Sequence, residues 1–201
     1  PVVWYNQNNR YDSVYPDNVG GAVNLTRRML EEGHRRVAFV HPRPPGAVKQ
    51  QHFSVGDRIK GYLRVIEEAG LEPDVRIVEG VGADAHCEDF IRLLQGARDL
   101  PTAWLFYGST QAKAFATAAL LSGYRIPQDF SIGTFGVAYD VWSSGLRIQY
   151  ATEFFDKMGA ELGNMLAAKI ASPERRITSV KVPMELRSGC TSIGPPRRSI
   201  S

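Results

Sequence analysis

Arg58 stands in the run Val55-Gly-Asp-Arg58-Ile-Lys-Gly61-Tyr62, at the start of an expected helix and just past a proline-rich loop. Its guanidinium presents five N–H donors in a rigid fork, which suits the hydroxyl or carboxylate groups of a ligand held in a cleft. A surface arginine paired with Asp57 or Glu67 competes with that role, and the segment taken by itself favours the pairing. Three other spacings imitate reactive sites. Gly80-Val-Gly82-Ala-Asp-Ala85 has the form of a dinucleotide fingerprint, in which glycines let a pyrophosphate approach a helix N-terminus. The next strand, however, ends at Phe106-Tyr-Gly108 without the acid that would hold a ribose, so an ordinary βα turn explains the glycines. Ser109, in Tyr107-Gly-Ser109-Thr-Gln111, sits at a strand-to-helix turn where a hydrolase nucleophile would stand. That strained elbow needs small residues two places to either side. Tyr107 and Gln111 occupy those places, and Ser109 reads instead as a helix N-cap. His86-Cys87 and the pair His41 and His52 lack the further ligands a metal would need, and His41 and His52 are expected to face solvent. No catalytic residue, metal or cofactor is expected.

Short apolar runs alternate with stretches of helical period, and these must position any site. Val2–Tyr5, Val37–Val40, Val75–Val78, Thr102–Phe106 and Ser131–Phe135 read as strands, each nearly continuously apolar, as in a parallel sheet buried on both faces. A helix is expected from Asp17/Asn18 to about Glu32, with Val19, Ala22, Val23, Leu25, Met29 and Leu30 as its apolar stripe and Gly33 as its stop. Further helices are expected over Val55–Ala69, Asp84–Gln95, Ser109–Ser122 and about Thr152–Ala171, and a last strand over Ile177–Val182. Such alternation is that of an α/β protein with parallel sheets. The irregular stretches His41–Gln51 and Gly136–Gly145 read as crossings between two lobes.

Composition narrows the function classes. Lys and Arg number 24 against 21 Asp and Glu, a net charge of +3, and the acid-free end Gly194–Ser201 supplies two of those charges through Arg197 and Arg198. A chain whose whole surface served nucleic acid would be far more basic. Arg27 and Arg28 share a helix with Glu31 and Glu32, and Arg35-Arg36 follow a helix C-terminus, where the dipole favours cations. No apolar run approaches the ~20 residues of a membrane span, and no signal peptide is visible. Cys87 and Cys190 lie far apart and fit a reducing cytoplasm. The chain opens on a strand-like run without an initiator Met, as a fragment would.

Asp17-Asn18-Val-Gly-Gly21-Ala22, then Leu30, then Gly33-His34-Arg-Arg-Val37-Ala-Phe-Val40, resembles the lactose-repressor/galactose-repressor (LacI/GalR) family. The similarity continues, in order and spacing, through Arg58-Ile-Lys-Gly61-Tyr62, Ala69-Gly-Leu71, Pro101-Thr-Ala103, Gly123-Tyr-Arg-Ile-Pro127, Phe130-Ser-Ile132 and Met158-Gly159. The resemblance implies a periplasmic-binding-protein-like type I fold: two Rossmann-like parallel-sheet lobes joined by hinge crossings, the N-terminal lobe incomplete in this chain. Residues 1–41 would belong to the N-terminal lobe, 42–135 to the C-terminal lobe, 136–180 to the return, and 181–201 to the final crossing, strand and tail. It further implies a cytoplasmic regulator that is not an enzyme and works as a homodimer. Such a regulator takes a sugar-like effector between its lobes and reaches operator DNA only through an upstream helix-turn-helix absent from this chain. By the same resemblance Arg58 orients the effector, Asn6, Ser109 and Asp140 supply polar contacts, and Tyr107 or Trp142 stacks, with Phe53 a third platform. The family's Asn-Asp pair falls on Gly108-Ser109, and an Asp that commonly grips sugar hydroxyls falls on Gly136. Val55–Ala69 and Asp84–Gln95 are expected to contribute to a dimer face. Two alternatives remain: a solute-binding protein of a sugar transporter, and a regulator that answers to a protein partner.

Overall fold

A computed structural model of the chain describes residues 1–43, 51–79, 82–97, 99–136 and 146–195. Its strands form two sheets. The smaller is parallel, in the order β1 (Trp4–Tyr5), β2 (Ser13–Pro16), β8 (Val180–Val182). Helix α5 (Phe155–Ala171) covers it, with Met158 and Met165 packed against Val14 and Val182. The larger sheet takes β3 (Val37–Arg43), β4 (Asp74–Glu79), β5 (Ala103–Phe106), β6 (Ser131–Phe135), β7 (Gln149–Thr152) and β9 (Glu185–Arg187) in the order β4-β3-β5-β6-β7-β9. All its strands are parallel except β9, which runs antiparallel to β7.

Both faces of the larger sheet are covered, so successive residues of its central strands serve different cores. Ala38, Val40, Trp104, Phe106 and Ile132 pack beneath α3 (Ala83–Gly96) and α4 (Ser109–Leu121). Val37, Phe39, Ala103, Leu105 and Phe135 pack beneath α1 (Asn18–Glu31) and α2 (Phe53–Glu68). The first of these cores is aromatic. Phe90, Trp104, Phe106, Phe115 and Phe130 meet with ring centroids 4.7 to 6.2 Å apart, mostly tilted or edge-on, the arrangement favoured by ring quadrupoles.

The expected helices appear within a few residues of their places, and Asp17 caps α1 by accepting from the Gly20 N–H at 3.0 Å. Sheet membership divides the chain differently from the expected boundaries. Residues 37–41 were expected in the first lobe, but β3 is hydrogen-bonded on both sides within the larger sheet, to β4 and β5. β7 lies in the larger sheet, and β8 keeps residues 180–182 in the smaller one. Extension of β3 to Arg43 also buries His41, which the sequence leaves in solvent; burial lowers its basicity. Arg28 pairs with Glu32 as expected, whereas Arg27 reaches across to Glu68 on α2. Among the described residues no helix is long and apolar enough to cross a membrane.

The segment at Ile193 is tied to the sheet through His34, which is fully buried. Its Nε2–H donates to the Ile193 carbonyl and its Nδ1 accepts from the Thr102 hydroxyl, both at 2.8 Å. Burial holds this imidazole below its ordinary range, so the unfolded chain takes up a proton at higher pH than the folded one. The contribution of His34 is therefore constant above the unfolded value of about 6.5 and diminishes as pH falls below it. Melting temperature measured from about pH 7.5 to about pH 5 is expected to fall less steeply in His34→Gln than in the parent chain. Equal slopes would show that His34 titrates alike in both states.

Candidate functional site

A cavity of about 310 Å³ opens at the carboxyl ends of the larger sheet's strands. Pro42 comes from β3, while Tyr107, Gly136 and Glu153 each directly follow β5, β6 and β7. Strand order reverses here, with β3 flanked by β4 on one side and β5 on the other, and such switch points are where open α/β sheets hold ligands. Phe135, Arg58 and the first turn of α4 complete the wall.

Arg58 reaches this place because α2 lies unusually close to α1. A Cβ at Gly61 would stand 2.4 Å from the Val19 carbonyl oxygen and 2.7 Å from the Ala22 Cβ, so only glycine permits the approach. One turn earlier, Arg58 Nε donates to Asn18 Oδ1 on α1 at 2.9 Å, and Nη1 donates to the Tyr107 carbonyl at 2.6 Å. The guanidinium lies between two rings, 4.6 Å from the Tyr107 centroid and 4.2 Å from that of Phe135. Only 8% exposed, it is no surface arginine, and the expected alternative of pairing with Asp57 or Glu67 is not what forms. Burial pushes its pKa down to about 10, which leaves it cationic at neutral pH.

A line of hydrogen bonds runs from the cavity wall to the smaller lobe. The Tyr107 hydroxyl lies 2.8 Å from Ser54 Oγ, which lies 2.7 Å from His52 Nδ1. His52 Nε2 in turn donates to the Asn6 carbonyl at 3.2 Å. His52 Nδ1 also accepts from the Ser54 N–H as the N-cap of α2. A second cross-lobe contact joins the Tyr5 hydroxyl to Glu153 Oε2 at 3.4 Å. Burial raises the Glu153 carboxyl above its ordinary range, and the nearby Arg58 charge opposes that rise.

Of the residues singled out from the sequence, Arg58, Tyr107 and Ser109 line the cavity together. Ser109 is the first residue of α4, and Gly108 is the N-cap instead. Asn6 stands outside the wall, in left-handed backbone at φ 53°, with its Oδ1 buried and unpartnered among the described residues. Phe53 packs edge-on against Tyr15 and tilted against the His52 ring, and does not line the cavity. Asp140 and Trp142 lie outside the described residues. Glu153, Thr110, Gln111 and Asn18 are additions that the sequence did not single out. Glu153 was obscured because Gln149–Thr152 does not read as a strand, so no strand end drew attention to the acid after it. Gln111 is backed by buried His86, whose Nδ1 lies 3.4 Å from its amide nitrogen. Among the described residues no three His, Cys, Asp or Glu side chains gather as a metal would require.

The periplasmic binding protein-like domain family matches residues 26–192. Among curated relatives, the HTH-type transcriptional regulator CelR of Thermobifida fusca is 29% identical over 128 residues, 62% of this chain and 34% of that protein. The HTH-type transcriptional repressor PurR of Escherichia coli O1:K1 / APEC is 26% identical over 179 residues, 85% of this chain and 49% of that protein. The chain thus spans a third to a half of these relatives' length. A solved transcriptional regulator CelR–cellobiose complex superposes with a TM-score of 0.80 at 21% identity, covering 96% of this chain and 59% of that one. Matched family and shared fold agree: the chain belongs to the periplasmic binding protein-like domain family, and the curated relatives named above are transcriptional regulators.

Proposed function

We propose that this chain is the effector-binding and dimerising portion of a transcription regulator, and that a small polar metabolite in the Arg58 cavity biases the arrangement of its two lobes. The observation that carries this is Arg58 itself, a buried cation held between two rings in the wall of an open cavity, with hydrogen-bond lines from that wall to the other lobe. A ligand can shift the lobes only as far as it binds one arrangement better, and cross-lobe bonds at the cavity rim supply such a difference. Sugars lead the candidate effectors, since one structural neighbour is a regulator bound to cellobiose. DNA contact would fall to a helix-turn-helix module beyond these residues. A thermal-shift panel of mono- and disaccharides, sugar acids, sugar phosphates and nucleobases tests the site. Ligand at 100 times its Kd adds about 2.7 kcal/mol, or roughly 5 °C for a domain of this size. A blank panel on folded protein would sink the small-ligand reading and favour a protein partner.

The second copy is expected to dock on α4. The outer faces of α2 and α3 carry ion pairs, Arg64 with Glu68 and Arg92 with Asp89, whereas Leu120 and Leu121 on α4 are 74% and 67% exposed. They adjoin a groove that includes Tyr124, Ile126 and Leu146, an apolar surface of the kind that marks an interface. Light scattering should give twice the 22.3 kDa of one chain, and Leu120→Glu should give 22.3 kDa. A dimer that survives Leu120→Glu would place the contact elsewhere.

A further inference from the structure

We propose that the outer pole of the smaller lobe is a contact surface for the phosphate backbone of duplex DNA, formed by Arg10, Arg175 and Arg176 around the Tyr11 ring. The choice of DNA rests on the regulator reading above, while the surface itself is independent of the Arg58 cavity. The guanidinium carbons of Arg10 and Arg176 lie 5.2 Å and 5.8 Å from the centroid of the Tyr11 ring, and therefore within about 11 Å of each other. All three arginines are exposed, and none of them is ion-paired among the described residues. Surface arginines of the larger lobe are commonly held by acids: Arg27 and Arg64 share Glu68, Arg92 meets Asp89, and Arg125 meets Asp129.

The stretches that carry these side chains are fixed in place. Arg10 precedes β2 and Arg175-Arg176 precede β8, and the two stretches are laced together. The Asp12 N–H donates to the Ile177 carbonyl at 2.7 Å, the Ser179 N–H donates to the Arg10 carbonyl at 3.2 Å, and Tyr11 bridges Thr178. Asp12 lies close by but is already engaged. Its carboxylate accepts from the Ile177 N–H at 2.9 Å and from Lys169 Nζ at 3.0 Å, contacts that hold it below its ordinary range. With Asp12 and Lys169 cancelling, three arginines stand against Glu174, and the pole keeps a positive excess. Position matters as much as charge. The carboxyl ends of the smaller sheet face the larger lobe: β1 runs into Tyr5 and Asn6, which meet Glu153 and His52, and β2 runs into α1. The amino ends, and the arginines with them, therefore point away from it. Three forked donors on an exposed pole fit a repeating anion better than a single small one, and a duplex backbone is such an anion. Contacts of this kind position a protein without reading sequence, so they add to a module that reads bases.

The full chain is titrated into a fluorescein-labelled duplex of about 20 base pairs and arbitrary sequence, with anisotropy read at about 50 and about 150 mM salt. Each neutralised phosphate contributes about 0.9 to the slope of log affinity against log salt, so two to three contacts predict a fall of about tenfold over that range. The triple variant Arg10→Gln/Arg175→Gln/Arg176→Gln is expected to bind about tenfold or more weakly at the lower salt and to lose most of the slope, with an unchanged melting temperature as the check on its fold. The variant Arg10→Lys/Arg175→Lys/Arg176→Lys keeps the charges and should keep the slope. Arg197→Gln/Arg198→Gln, which neutralises the acid-free end of the chain, should leave both affinity and slope as they were. A slope unchanged in the triple glutamine variant, or one lost instead in the Arg197/Arg198 variant, would overturn the pole as the contact. No binding at about 20 mM salt overturns it as well. Tighter association with vesicles of phosphatidylglycerol and phosphatidylcholine in equal parts than with the duplex would overturn it in favour of a membrane surface. All of these failures leave the effector reading standing, because the metabolite panel does not involve the pole. A blank panel beside duplex binding that the triple glutamine variant loses would remove the effector and keep the surface.

Discussion

Arg58→Ala is expected to weaken effector binding about 100-fold or more, the loss of two charge-assisted contacts. It should also lower stability. Asn18 Oδ1 and the Tyr107 carbonyl each lose their donor. The Tyr107 and Phe135 rings lose the cation that lies against both. Left unpaired, buried acceptors cost about 1–3 kcal/mol each, but the cavity is open to solvent and water can rehydrate them. Deletion also relieves the cost of holding a cation out of water. A net loss of about 1–3 kcal/mol is the outcome of these opposed effects. Arg58→Lys separates the two roles: it keeps the charge and loses the fork, so binding should fall while the stability loss shrinks. Calorimetric titration beside thermal melting reads both. Affinity unchanged in Arg58→Ala would remove Arg58 from the site, whatever happened to the melting temperature.

This dual role could not be read from the sequence, because Arg58 is amphiphilic in context: the same residue at the start of a helix can face water or a wall. What decides is the neighbouring helix, and its closeness depends on a contact between Gly61 and Val19, 42 positions apart. The central strands were legible for the opposite reason. Ser131–Phe135 and Ala103–Phe106 are buried on both faces, so every residue must be small or apolar, and a continuous run results. β2, β7 and β9 escaped because Ser13-Val-Tyr-Pro16, Gln149-Tyr-Ala-Thr152 and Glu185-Leu-Arg187 mix polar residues into three- or four-residue runs. Gln149 and Ser13 are buried none the less, the first with its amide nitrogen 3.4 Å from Met29 Sδ, the second bonded to the Gln7 carbonyl. Without β7 among the expected strands, Glu153, which directly follows it, is not singled out.

Gly61→Ala is expected to destabilise the chain although alanine is the better helix former. In a helix interior the replacement gains about 1 kcal/mol of propensity. Against it stands a methyl group 2.4 Å from the Val19 carbonyl oxygen and 3.2 Å from the Val23 amide nitrogen, both backbone atoms that no rotamer change can move. α1 must shift away from α2, and the core of Leu25, Met29, Tyr62 and Ile66 between them and the sheet loosens with it. Overpacking costs about 1–3 kcal/mol and occasionally more, and contacts this short with backbone belong at the upper end, about 3 kcal/mol, so sterics outweigh propensity and a net loss of about 2 kcal/mol is expected. Gly56 lies in the same helix with nothing within 4 Å of an added Cβ, so Gly56→Ala should raise the melting temperature where Gly61→Ala lowers it. Because the shift withdraws Asn18 from Arg58, folded Gly61→Ala should also bind effector more weakly, with Gly56→Ala unchanged. Melting temperatures that rise in both variants would mean that the two helices do not approach as closely as Gly61 allows, and the positioning of Arg58 would then need another cause.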